Sequence, residues 1–405
     1  MALEMSGEHM DALSRLKNLA TGGSAGAHNR NSYRSSFLED LYLSQLVPAL
    51  LLVVYGIIVI YSASLTLTDA NFPRHVIGVM LGLGAALFVW RFDYRALANM
   101  STALLILDAV LMILPRIPGL GYSAKGISGW VRLPLVGLRF QPSEIAKLVT
   151  IFLMASLTAQ YNGKIETLKD YVKLCAALCV PFFLILVQPD LGTGLIILVT
   201  GATIIICGGA RKSWVLFTIG LIVAGAAVVV ITSMTEGLPH LLKPYQINRL
   251  VVFVDPSADP ESAYNLQQAK IAVGSGGLLG KGIGNASQSA SGFLPEAHTD
   301  FVFALLAEEF GFLGCVVLLG LYGWMLFSAV FLAMRLESTY SKLVLVGCVA
   351  MWTFQLLQEV GMCIGIMPIT GIPLPFISFG STSMVVQLMA VGIVQSVWRH
   401  RPKTA

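Results

Sequence analysis

Ten stretches of this chain run apolar for about the length that crosses a bilayer, and that recurrence limits what it can fold into. A spanning helix needs ~20 mostly apolar residues. Such stretches fall at 42–64, 75–91, 97–115, 142–161, 172–188, 191–209, 214–233, 301–334, 341–364 and 377–398. Hydrophobic residues make up 56% of the 405 residues and charged residues 12%, against roughly 25% charged in a soluble domain. Half the usual charge cannot cover a body of this size in water. An ordinary cytosolic enzyme, a disordered protein and a disulfide scaffold are thereby excluded. The eighth stretch is too long for one straight span, so its first turns are expected at the interface or tilted. The expected fold class is an all-α membrane protein, a bundle of about ten transmembrane helices with a long extracytoplasmic loop between helices seven and eight.

Basic residues set the orientation. With the N-terminus inside, 16 of the 26 Lys and Arg residues fall in inside segments, and each short inside loop holds at least two. Most of the rest lie in two long outer loops, 116–141 and 234–300. Long loops translocate largely regardless of charge. The expected division is a cytoplasmic disordered tail over 1–40, a membrane domain over 41–398 and a cytoplasmic C-terminal tail over 399–405, with both termini cytoplasmic in a multi-pass inner-membrane protein. The first segment has no apolar h-region, so it is not a cleavable signal peptide. The six cysteines all sit in apolar runs without CxxC spacing, which gives neither a zinc site nor a disulfide.

The loop 234–300 is far longer than an ordinary connection, and such loops are usually functional or disordered. It carries Arg249 in KPYQINRL, Lys270 on a short amphipathic helix, then six glycines between Gly274 and Gly284. The spacing fits neither a P-loop nor GxGxxG. The run is either a set of turns or a backbone that approaches a phosphate closely. In FLPEAHTDF, Glu296, His298 and Asp300 crowd the edge of an apolar span, with Glu308 and Glu309 two turns further in. A carboxylate at such a boundary suits general-base work. Alternatively Asp300 is an N-cap, and Glu308 and Glu309 pair with basic partners elsewhere.

Three further clusters stand out. In FQPSEIAKL, Glu144 and Lys147 share a helix face at i, i+3, after a basic loop holding Lys125, Arg132 and Arg139. VQPDLGTG makes a tight outer turn around Asp190. In GIMPITGIPLPFISFGSTSM, three prolines prevent a regular helix, so the segment must be packed in protein or line a cavity. Asp108, Gln355, Gln358 and Glu359 lie inside spans, where interhelical hydrogen bonding is the simpler reading.

With these residues in view, the chain resembles the SEDS family (shape, elongation, division and sporulation), whose members include RodA, FtsW and SpoVE. The resemblance covers roughly 42–398 and rests on FQPSEIAKL, QPDLGTG, the Asp255-Pro256 region, GSGGLLGKG, LPEAHTDF and TGIPLPFISFG, in family order. PYQINRL, YNLQQAKIAVGSGGLLGKG and SQSASGFLPEAHTD are most similar to the RodA branch. The resemblance implies ten helices and peptidoglycan glycosyltransfer, polymerising lipid II at the outer face of the membrane. It places Asp300 at the family's essential aspartate and Glu144 with Lys147 at its functional pair, and it implies a class B penicillin-binding protein as partner. The chain departs from the family at Phe379 and Ser381, where Tyr-Gly-Gly is usual, and at Glu359, where Asn is usual.

The chemistry that follows is attack by a sugar hydroxyl on an anomeric carbon, with Asp300 as base. Arg132, Arg139, Lys147, Arg249 and Lys270 are candidates to meet the departing lipid pyrophosphate, with Glu144, Glu296 and His298 completing the expected substrate site. A divalent cation (Mg or Mn) is compatible with this chemistry, and no carboxylate cluster in the sequence requires one. The competing readings are a division-type role, a lipid II flippase and a scaffold for the penicillin-binding protein.

Overall fold

The computed structural model describes residues 39–118, 120–124, 127–132, 139–188, 190–234 and 260–402. The sequence readings for the tail before 39, for Lys125, for Arg249 with the rest of 235–259, and for the last three residues lie outside them. Tyr42–Ala405 forms one compact unit, and it carries the architecture described here.

Each of the ten apolar stretches holds a helix. These are α1 (Leu43–Thr66), α2 (Phe72–Arg91), α3 (Ser101–Ile113), α4 (Pro142–Ala159), α5 (Leu168–Val187), α6 (Leu191–Cys207), α7 (Lys212–Met234), α10 (Val302–Arg335), α11 (Thr339–Ile364) and α12 (Ser381–Arg399). Two more, α8 (Pro260–Ser275) and α9 (Ser287–Ala290), lie between α7 and α10. Among the described residues, seven helices are long and apolar enough to cross a membrane, and α6 and α7 give two shorter apolar ones. Their outward faces are apolar, with Met80, Phe88, Phe217 and Leu221 all exposed. Only a lipid environment accommodates so much uncovered apolar surface.

Local chemistry sets the helix ends. Asn71 accepts from Arg74 N–H to cap α2, and Thr167 accepts from Asp170 N–H to cap α5. Pro142 begins α4, where its missing N–H costs nothing. Gly365 ends α11 in the left-handed region at φ 81°, the usual glycine stop. The third stretch departs from its expected bounds. Its first residues form a 3-10 turn, Tyr94–Asn99, and Pro115 lies in a second one, Leu114–Arg116, leaving 13 residues for α3. The outer loop 116–141 is not wholly irregular either. It carries a three-stranded antiparallel sheet, β1 (Gly121–Ala124), β2 (Ile127–Arg132) and β3 (Arg139–Phe140), in that order.

Helix packing uses small residues and polar links. Gly392 of α12 lies so close to the backbone of Ala86 on α2 that a Cβ would overlap it. Thr150 Oγ1 donates to Asp108 Oδ2 at 2.8 Å between α4 and α3, and Gln387 Nε2 donates to Gln355 Oε1 at 3.1 Å between α12 and α11. Asp108 and Gln355 thus make the interhelical bonds expected of them. All six cysteines are free.

The overlong eighth stretch is resolved by a break. Gly311 has φ 64° and ψ −164° inside α10, a conformation open to glycine and strained for any other residue. The glycine-rich segment after α8 docks into that break. Phe312 N–H donates to Gly277 O at 2.8 Å and Leu313 N–H to Leu278 O at 3.1 Å. In return Lys281 N–H donates to Glu308 O at 2.9 Å and Gly282 N–H to Glu309 O at 3.0 Å. A helix broken within apolar surroundings leaves backbone groups that must find partners, and this segment supplies them. Two of the six glycines, Gly276 and Gly280, are explained by close backbone approach to α10. A Cβ at Gly276 would collide with Ala307 O, and one at Gly280 with Glu309 O.

Candidate active site

Asp300 lies at the end of a tight turn that leads into α10. Glu296 sits in the left-handed region at φ 56°, and its carbonyl accepts from the N–H groups of Thr299, Asp300 and Phe301. Its carboxylate accepts from Thr299 Oγ1 at 2.9 Å. Glu296 thus builds the turn that holds Asp300. Such a backbone costs a non-glycine residue on the order of 1–2 kcal/mol, which these four hydrogen bonds offset.

The proline-rich segment 365–380 clamps the turn from the other side. His298 O accepts from Phe379 N–H at 2.9 Å, and Ser378 Oγ donates to Thr299 O at 2.9 Å. The buried His298 ring packs on Phe379, centroids 5.4 Å apart, and Phe379 stacks on His75 at 6.1 Å. Tyr322 OH of α10 donates to Pro375 O. Irregular backbone at membrane depth is tolerated only when packed in protein, and these contacts do the packing. The segment also delays α12, which starts at Ser381 rather than at 377.

The same segment reaches a second cluster. Gly192, in the first turn of α6, lies against Thr370 O and Ile372. Just before it, Asp190 caps α6, accepting from Thr193 N–H at 3.0 Å and Thr193 Oγ1 at 2.8 Å. Gln141, preceding α4, donates to Asp190 Oδ2 at 3.1 Å. One turn into α4, Lys147 Nζ donates to Glu144 Oε1 at 2.8 Å, with both side chains buried. Glu144 Oε2 has no hydrogen-bond partner among the described residues. Burial pushes the Asp190 carboxyl above its ordinary range and the Glu144 charge adds to this, while the Thr193 hydrogen bonds oppose it. The starts of α4 and α6 thus hold three ionisable groups in one buried patch. The sequence reading singled out Glu144 and Lys147 and left Asp190 as a turn residue; the PDLGT cap pattern was the available signal for it.

Other candidates are placed around these two clusters. Lys270, on α8, lies against Gly365 at the end of α11, its Cε and Nζ filling the space a Cβ there would need. Arg132 and Arg139 are paired residues across the β2–β3 ladder. Glu308 is taken up by Lys281 at 2.6 Å and Ser287 Oγ at 2.9 Å, and Glu309 by Ser62 Oγ of α1. Those two carboxylates anchor the glycine-rich segment; Glu308 has the basic partner raised for it, whereas Glu309 takes the Ser62 hydroxyl and the Gly284 N–H instead. No three His, Cys, Asp or Glu side chains gather to hold a metal ion among the described residues. An apolar cavity of about 610 Å³, lined by Cys207, Met334, Lys342 and Phe354, involves none of the candidate residues.

The chain has known relatives in sequence and in structure. Residues 43–403 match the family model FTSW_RODA_SPOVE, described as cell cycle protein. The chain is 33% identical to stage V sporulation protein E of Bacillus subtilis, covering 89% of this chain and 97% of that one. It is 32% identical to peptidoglycan glycosyltransferase MrdB of Escherichia coli K12, covering 92% and 97%. Among solved structures, Thermus thermophilus rod shape determining protein RodA superposes with a TM-score of 0.66 at 26% identity, covering 90% of this chain and 98% of that one. A chain from a peptidoglycan synthase complex that coordinates polymerization and crosslinking superposes at 0.75, also at 26% identity, covering 90% and 99%.

Proposed function

The chain belongs to the FtsW–RodA–SpoVE (SEDS) family of cell cycle proteins, and from that we propose that it polymerises lipid II into β-1,4-linked glycan at the outer face of the bacterial cytoplasmic membrane. It is a multi-pass membrane protein and a peptidoglycan glycosyltransferase, the activity carried in the names of its relatives. The observation that carries the site is the Asp300 turn. It is an acidic group held by Glu296 on one side and by Phe379 and Ser378 on the other, at the start of a buried helix.

The reaction needs a base because a sugar hydroxyl is a weak nucleophile. Asp300 takes the proton from the 4-hydroxyl of the acceptor sugar as that oxygen bonds to the anomeric carbon of the donor. The bond from that carbon to the lipid pyrophosphate breaks, and the pyrophosphate leaves with the electron pair. Its charge is met by cationic side chains, for which Lys270, Arg132, Arg139 and Arg249 are the candidates. Lys147 is engaged by Glu144, so that pair is assigned to holding the starts of α4 and α6 against the proline-rich segment. Mg or Mn is compatible with the same leaving group, but the described carboxylates form no cage for it, and the charge compensation is assigned to the basic groups.

The partner is a class B penicillin-binding protein, in keeping with the synthase complex among the structural relatives. The role is RodA-like, in cell elongation, on the motifs PYQINRL and SQSASGFLPEAHTD. Purified chain with labelled lipid II, with and without the partner, tests the activity. Glycan strands support it. Lipid translocation across vesicles without strands identifies a flippase, and neither product identifies a scaffold.

A further inference from the structure

The start of α10 has an incomplete backbone account. The first four N–H groups of a helix have no partner inside it. Here the N-cap residue is Phe301, which has no side-chain acceptor, and the first turn holds no acidic residue. Bulk solvent does not reach it, because Val302, Phe303, Ala304, Leu305 and Leu306 are all buried. Ala304 and Leu305 N–H donate to Phe301 O at 3.0 and 3.2 Å. That leaves Val302 and Phe303, and both N–H groups face the carboxylate of Glu359 from α11. The Phe303 N–H to Glu359 Oε1 distance is 3.5 Å.

Glu359 is fully buried and has no salt-bridge partner among the described residues. A buried carboxyl group left without hydrogen-bond partners is costly. The positive end of a helix is one of the few settings that supplies them. The titratable groups around it are Asp300 in the turn, Tyr322 on α10 and Cys363 one turn along α11, and each interacts electrostatically with the Glu359 carboxyl. Cys363 Sγ lies 3.8 Å from Glu359 Oε1. Asp300 is therefore near this cap in space as well as two residues before the turn it caps.

We propose that Glu359 is a positioning residue for Asp300: it caps α10 from the neighbouring helix and so fixes the base at the site. This rests on the reading of Asp300 as the base. The acceptor oxygen, not the length of the side chain, performs the role. Glutamine keeps that oxygen. Methionine keeps the length and removes it.

The test uses the full chain with its penicillin-binding partner and fluorescent lipid II, comparing Glu359→Gln and Glu359→Met. Misplacement by about 1 Å costs ~100-fold, so Glu359→Met is expected to lose on the order of 10- to 100-fold in kcat with KM for lipid II within about twofold. Glu359→Gln is expected to stay within about threefold of the parent. Thermal unfolding of Glu359→Met is expected to fall modestly below the parent, because two buried N–H groups lose their acceptor, and Glu359→Gln is expected to stay close to it. Amide exchange in 302–305 is expected to rise in Glu359→Met and not in Glu359→Gln. Parent-like kcat in Glu359→Met, or equal losses in both variants, would overturn the proposal. Should Glu359→Met fail to fold, Glu359→Ala takes its place with the same outcomes. Asp300→Asn is run alongside. If it polymerises normally, the reading of the base fails; if it is inactive while Glu359→Met is normal, only the present inference fails.

Discussion

Lys281 and Glu308 meet twice, through Nζ to Oε1 at 2.6 Å and through backbone N–H to carbonyl O at 2.9 Å. The two residues tie the glycine-rich segment to the last turn of α10 before its break at Gly311. Removing one partner of a buried ion pair costs ~3–5 kcal/mol. The Lys281 side chain is 31% exposed, so solvent screening discounts this. Lys281→Met is expected to lose about 2 kcal/mol, and Lys281→Arg clearly less. Thermal unfolding in detergent checks the order of the two.

Gly280 shows how tightly the segment fits. It has φ 79°, and a Cβ would overlap Glu309 O. Gly277 is also left-handed, at φ 57°, but a Cβ there meets nothing. Both Ala variants carry the conformational cost of ~1–2 kcal/mol, and only Gly280→Ala adds a collision. Gly280→Ala should therefore unfold at a distinctly lower temperature than Gly277→Ala. Equal unfolding temperatures would contradict this docking.

The Glu144–Lys147 pair separates stability from function. Lys147→Met alone leaves a buried carboxylate and is expected to destabilise by ~3–5 kcal/mol. The double variant Glu144→Leu with Lys147→Met leaves no buried charge and should recover most of that stability. Glycan synthesis should stay low in both variants if the pair shapes the site. Measuring unfolding and polymerisation on the same three samples decides it.

Asp190 gives a pH signature. Its folded carboxyl titrates above the ordinary carboxylate range, mainly through burial, so the unfolded chain loses this proton first as pH rises. Stability should then fall with increasing pH between the ordinary value and the raised one. Asp190→Asn keeps an acceptor for Thr193 and removes the titration. Its stability profile should be flatter over that window, and an unchanged slope would remove Asp190 as the cause.

Some of this was legible in the sequence. A helix in each of the ten apolar stretches follows from run length, although only seven are long enough to span among the described residues, and the Glu144–Lys147 pair follows from i, i+3 spacing. The 34-residue length of α10 signalled an irregularity there but not its place, since Gly311 is one of four glycines between 311 and 323. The partner of the glycine-rich segment was hidden because backbone pairing carries no side-chain code. Asp190 read as a turn residue, and its bond to Gln141, 49 residues earlier, is visible only in three dimensions. The cap supplied by Glu359 to a helix 56 residues upstream was hidden for the same reason.

The central claim is that Asp300 is the base for glycan polymerisation. Its most direct measurement is strand synthesis from labelled lipid II by purified Asp300→Asn, in complex with the penicillin-binding partner and at parent protein levels. The substitution keeps size and hydrogen-bonding capacity and removes the basic group. The account predicts a folded variant that binds lipid II and makes no detectable strands. Strand synthesis close to the parent rate would contradict it.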